Sequence, residues 1–165
     1  MVMKTRILAL SLICFAFTTQ ADDFLLDGMT TTPTGKNDIG QSTVRISGKC
    51  GAAMVSIADV VRDDDGSLST RSGAVLSIEG SKGSISSKQP SPLWLDSGND
   101  IACVNSPKGP RVVLAAWCMA TSCDPVNYEI VDPASMKLLT GSDTCDRKCA
   151  EKILSTKLPE ALQSF

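Results

Sequence analysis

Thr43, Val44, Arg45, Ile46 and Ser47 alternate polar and apolar side chains, the two-residue period of a strand with one buried face. Residues 54–62 keep a high apolar content, and the period predicts a second strand there, although Ala52, Ala53 and Ala58 would also suit a short helix. Asp63, Asp64, Asp65 and Gly66 then interrupt the pattern with turn-forming residues. Residues 74–78 predict the next strand, closed by Gly80 and Gly83. After a stiff Pro90–Pro92 loop, residues 100–104 and 111–117 are expected to pair across a turn at 106–110. The second of these segments is apolar at every position from Val112 to Trp117, as a strand covered on both faces requires. Residues 128–131 and 136–139 predict a further hairpin around a four-residue turn at 132–135. Only near the end does the period lengthen: Ala150, Ile153, Leu154 and Leu158 share a helical face between Asp146 and Leu158, and Pro159 halts the helix.

The two ends of this series differ from its middle. Residues 22–41 are rich in Thr, Gly, Asp and Asn and read as an extended or loose lead-in. Upstream, Lys4 and Arg6 precede an apolar run of about eleven residues, and Thr19, Gln20 and Ala21 supply a small-residue cleavage site. That order predicts a secretory signal, residues 1–21, removed after Ala21. The run is shorter than the roughly 20 apolar residues of a membrane-spanning helix, so no membrane insertion is expected after cleavage. The expected organisation is therefore a signal (1–21), an extended segment (22–41) and one β-rich domain with a C-terminal helix (42–165). The fold class is mainly β: antiparallel sheets, as a sandwich or partial propeller, with one short C-terminal α-helix and disulfide staples.

Cysteine usage supports export. Apart from Cys14 inside the signal, the chain has Cys50, Cys103, Cys118, Cys123, Cys145 and Cys149. An even number in an exported chain points to three disulfides, and six cysteines permit fifteen pairings. The close pairs Cys118–Cys123 and Cys145–Cys149 are expected to bond locally, leaving Cys50 for Cys103. Zinc is the competing use, but the chain has no histidine and no CxxC pair.

Charge and residue type narrow the function classes. The net charge is −2, or −4 once Lys4 and Arg6 leave with the signal, and the sequence contains no Lys/Arg cluster; nucleic acid is not an expected partner. The Asp63–Asp65 run lacks the alternating ligands and the twelfth-position glutamate of a calcium loop, so it reads as a turn and no metal or cofactor is expected. Without histidine, Ser-His-Asp and Cys-His catalysis are both excluded. Ser87–Lys88 and Ser81–Lys82 are adjacent residues, which point to opposite faces of a strand and form no dyad. The expectation is a binding protein, not an enzyme. Its most informative segment follows Trp117: Cys118 and Cys123 bracket the small or flexible residues Met119, Ala120, Thr121 and Ser122. A disulfide there would order the tip in advance, and a pre-ordered loop loses less entropy on docking.

The order of features in the last 60 to 70 residues resembles the periplasmic immunity proteins that protect bacteria from type VI-secreted peptidoglycan amidases. The corresponding pieces are the loop Met119, Ala120, Thr121, Ser122; the run Glu129, Ile130, Val131, Asp132, Pro133, Ala134, Ser135, Met136, Lys137, Leu138, Leu139; and the cysteine-led ending from Cys145 and Cys149 to Leu158. The resemblance implies a periplasmic, disulfide-bonded β protein whose serine loop blocks the active-site groove of a cell-wall hydrolase. Thr121 or Ser122 would then face the catalytic cysteine of that toxin. A lysozyme inhibitor and an envelope assembly factor that binds through a sheet edge are the alternatives.

Overall fold

A computed structural model describes residues 24–70, 74–88, 98–117, 126–140 and 144–162. The signal segment 1–21, the proline loop at 89–92, and Cys118, Cys123 and the tip 119–122 lie outside the described residues.

Among the described residues, eleven strands and one α-helix make three layers. The first sheet has the order β2-β3-β4-β6-β7, built from β2 (Asp27–Lys36), β3 (Ser42–Cys50), β4 (Ala53–Arg62), β6 (Val75–Gly80) and β7 (Gly83–Lys88). The short β5 (Leu68–Ser69) pairs with the end of β4. The second sheet has the order β1-β8-β9-β10-β11, from β1 (Phe24–Leu25), β8 (Gly98–Ser106), β9 (Gly109–Trp117), β10 (Asn127–Asp132) and β11 (Lys137–Leu138). Among the described residues every pairing is antiparallel except that of β1, which lies parallel to β8. Residues 54–62 are thus strand and not helix, because Ala53, Val55, Ile57 and Val60 must all reach the layer between the sheets.

Two cores explain the sequence pattern. Val44, Ile46, Val55, Ile57, Leu76 and Ile78 of the first sheet pack on Ile101, Val112, Leu114 and Val131 of the second. On the other face of the second sheet, Ala102, Val113, Ala115, Tyr128 and Ile130 pack under Ala150, Leu154, Leu158 and Leu162 of the C-terminal segment. β9 is the middle strand of the middle layer. Its alternate residues enter different cores, so it is apolar at consecutive positions, whereas β3 shows clean alternation because only one of its faces is covered.

The turns follow local chemistry. A two-residue turn, Gly51 and Ala52, joins β3 to β4, with Gly51 at φ 62°. A Cβ at Gly51 would collide with Pro110, so glycine is required both by the backbone angle and by the close approach to β9. The acidic segment is a hairpin turn: Gly66 N–H donates to Asp63 C=O at 2.9 Å, and Ser67 N–H donates to the Asp65 carboxylate at 2.9 Å.

Residues 27–36, within the segment expected to be an extended or loose lead-in, form the ten-residue edge strand β2. Nearly every side chain of β2 is exposed on both faces, so no alternation betrays it; four threonines and the edge-compatible Pro33 suit an uncovered strand. The helix α1 (Arg147–Leu154) is shorter than the expected 146–158. Asp146 caps it by accepting the Cys149 N–H at 2.8 Å, and Ser155 ends it at φ 56°. The Glu151 carboxylate accepts the Leu158 N–H at 3.2 Å, which turns the chain back so that Leu158 still reaches the core. A 3-10 turn (Glu160–Leu162) follows Pro159.

Two of the three expected disulfides lie within the described residues, and both have the expected partners. Cys50–Cys103, Cα–Cα 5.1 Å, ties β3 to β8 and so joins the two sheets. Cys145–Cys149, Cα–Cα 5.3 Å, closes the start of α1. Disulfides persist in oxidising compartments, in keeping with an exported chain. Among the described residues, no helix is long and apolar enough to cross a membrane.

Candidate functional site

The expected binding loop is reached from its two flanks. β9 and β10 are antiparallel neighbours with Ala116 opposite Asn127 and Ala115 opposite Tyr128. The chain therefore leaves for residues 118–125 from the end of the middle strand and returns directly beside it. Val126 and Tyr128 are buried against the helix layer, and the Asn127 side chain accepts the Cys145 N–H at 2.7 Å. The base of the connection is thus held against the helix layer.

A buried network secures that layer. The Tyr128 hydroxyl donates to the Leu162 carbonyl at 2.6 Å, and Arg147 donates to the carbonyls of Leu158 (3.0 Å) and Leu162 (3.4 Å) while pairing with Glu151 at 3.2 Å. Burial raises the Tyr128 hydroxyl above its ordinary range, with Arg147 acting in the opposite sense. Glu151 is held below the usual carboxylate range, chiefly by the Lys157 ammonium at 2.7 Å. Glu129 on β10 is only 9% exposed; burial pushes its carboxyl up, partly offset by the Thr140 hydroxyl that donates to it at 2.9 Å.

The opposite end of β9 carries a different arrangement. The guanidinium of Arg111, 9% exposed, donates to the Pro110 carbonyl (2.7 Å) and the Lys108 carbonyl (2.9 Å) and pairs with Asp132 at 3.3 Å. Asp132 also accepts the Ser135 hydroxyl at 2.7 Å and the Ala134 N–H at 3.1 Å; these bonds, the hydroxyl foremost, hold its carboxyl below the ordinary range. Above this corner an open groove of about 770 Å³ runs between the β8–β9 turn, the end of the β10–β11 hairpin and α1. Lys108, Arg111, Lys148 and Lys152 line it with Leu139, Cys149 and Ile153. No acidic side chain is among the described residues that line it, and the three lysines have no ion-pair partner among the described residues.

Sequence reasoning singled out the loop at 119–122 and passed over this groove. Its four cations lie at positions 108, 111, 148 and 152, too scattered to register as a basic cluster. The available signal was the four-residue spacing of Lys148 and Lys152 beside Cys149 and Ile153 on one helix. No protein family, no curated protein and no solved structure matches the chain.

Proposed function

We propose that this chain is a periplasmic immunity protein, an inhibitor that binds a secreted cell-wall-degrading toxin, a peptidoglycan amidase, and sterically blocks it. The connection between β9 and β10 is the plug, with Met119, Ala120, Thr121 and Ser122 at its tip. The observation that carries this reading is the anchoring of both ends of the connection by adjacent middle-layer strands, Ala116 opposite Asn127. A plug of this kind must resist displacement from the groove it fills. A base packed under the helix layer, and tied to it through Cys145, which is itself bonded to Cys149, supplies that resistance. The loop itself is expected to be closed by Cys118–Cys123. Occlusion requires no catalytic group in this chain, and the absence of histidine agrees with that mode of action.

The test is a titration of the oxidised protein into a peptidoglycan amidase assay, with lysozyme assayed in parallel. Inhibition of the amidase at stoichiometric concentration is expected. The double variant Thr121→Arg, Ser122→Arg should weaken inhibition at least about tenfold, since a bulky charge at the centre of an interface disrupts its desolvated core. Full inhibition by that variant would refute the loop assignment, and inhibition of lysozyme alone would refute the choice of target.

A further inference from the structure

We infer that the groove between α1 and the β8–β9 turn is a second docking surface, one that takes an acidic peptide segment carrying apolar side chains. Four cationic side chains line one concavity on a chain whose overall charge is negative; Asp132 balances Arg111, so it is the three lysines that invert the sign of the molecule locally. Lys108, Lys148 and Lys152 are exposed and lack carboxylate partners among the described residues, so their ammonium groups can meet incoming carboxylates without breaking an existing ion pair.

Two features select a peptide over a small phosphate-like anion. Arg111 is engaged with two backbone carbonyls and Asp132, so its planar fork is already committed and not poised to clasp a phosphate in the bidentate manner. The remaining lining, Leu139, Cys149 and Ile153, is apolar, and a ligand that presents only charge would leave it uncovered. An extended segment alternating acidic and apolar side chains satisfies both walls. Lys148 and Lys152 stand one helical turn apart, about 6 Å along the axis, close to the roughly 6.6 Å spacing of alternate side chains on an extended strand.

The strand wall of the groove lies at the end of β9 away from the proposed plug, while its helix wall includes Cys149, which is bonded to Cys145 beside the base of the plug. Arg111 and Trp117 are six residues apart on β9, about 20 Å at strand rise.

The probe is a fluorescein-labelled hexapeptide alternating glutamate and leucine, read by anisotropy against the oxidised protein. Its lysine-for-glutamate counterpart and hexaglutamate serve as controls. Binding of the glutamate-leucine peptide alone is expected, weakening as NaCl rises from about 50 mM to about 500 mM. Lys148→Glu with Lys152→Glu should lower affinity about tenfold, since each site loses an attraction and gains a repulsion. Lys82→Glu, in the β6–β7 turn, and Thr121→Arg with Ser122→Arg should leave it unchanged. Because Lys148 and Lys152 are exposed, an unaltered thermal midpoint is expected, and the neutral pair Lys148→Gln, Lys152→Gln should give an intermediate loss. The assignment is overturned by absent binding of the glutamate-leucine peptide, by unchanged binding in the Lys148/Lys152 variants, by equal binding of hexaglutamate, or by complete displacement with inorganic phosphate at matched ionic strength.

Discussion

Replacing Cys50 and Cys103 together by alanine should destabilise the fold far more than replacing Cys145 and Cys149. The first bond closes a loop of sequence separation 53, the second one of separation 4. A cross-link stabilises largely by removing conformations from the unfolded chain, and the loop-entropy relation gives about 4 kcal/mol for the longer loop against about 2 kcal/mol for the shorter. Each bond is packed, Cys50 and Cys103 in the core between the sheets and Cys145 and Cys149 in the core under the helix, so loop length and not burial separates the two. Cys145–Cys149 moreover stiffens one helical turn that Asp146 already caps. A loss of about 4 kcal/mol is a large share of the 5–15 kcal/mol by which ordinary domains are stable. Urea unfolding of the two double variants, followed by far-UV circular dichroism, measures the difference directly. A loss in the Cys50/Cys103 variant equal to or smaller than that in the Cys145/Cys149 variant would refute the view that this bond carries the joint between the sheets.

Other perturbations probe the remaining layers. Leu114→Ala, at a site 1% exposed between the two sheets, should cost about 3 kcal/mol in urea unfolding, whereas Leu138→Ala on the exposed edge strand should cost under about 0.5 kcal/mol. Glu129→Gln should stabilise the protein at pH 7 by on the order of 1 kcal/mol, because glutamine still accepts the Thr140 hydroxyl without a buried charge. The folded carboxyl sits above its unfolded value, so the parent is penalised as pH rises through the unfolded value near about 4.3 and beyond. The gain on substitution should therefore vanish below that pH. A gain independent of pH, or a variant less stable than the parent at pH 7, would refute the assignment. Asp132→Asn should destabilise fully above about pH 4, with the effect fading as pH falls further through the depressed value of the folded carboxyl, since the hydrogen bonds from Ser135 and Ala134 and the Arg111 pair favour the ionised carboxylate.

What was legible in the sequence divides along physical lines. Alternation in β3 and β6, the doubly apolar β9 and the turn chemistry between strands are local signals, and the fold obeys them because each covered face leaves its period in the chain. β2 escaped because its side chains meet solvent on both sides, and a strand with no buried face has no hydrophobic period. The early stop of α1 was equally hidden: the Glu151 carboxylate that accepts the Leu158 N–H is chosen by the folded chain, while the apolar spacing of Ile153, Leu154 and Leu158 continues as if helical. The groove is the most instructive omission. Lys108 reaches it from the β8–β9 turn, Arg111 from β9, and Lys148 and Lys152 from a helix that follows two further strands, so only the order β8-β9-β10-β11 and the packing of α1 bring them together. A sequence scan for basic clusters measures proximity along the chain, whereas a binding surface is assembled across it. The features that single out 119–122 are contiguous, which is why a sequence scan reaches that loop first. A surface built from four separated cations becomes visible only when the sheet has placed them.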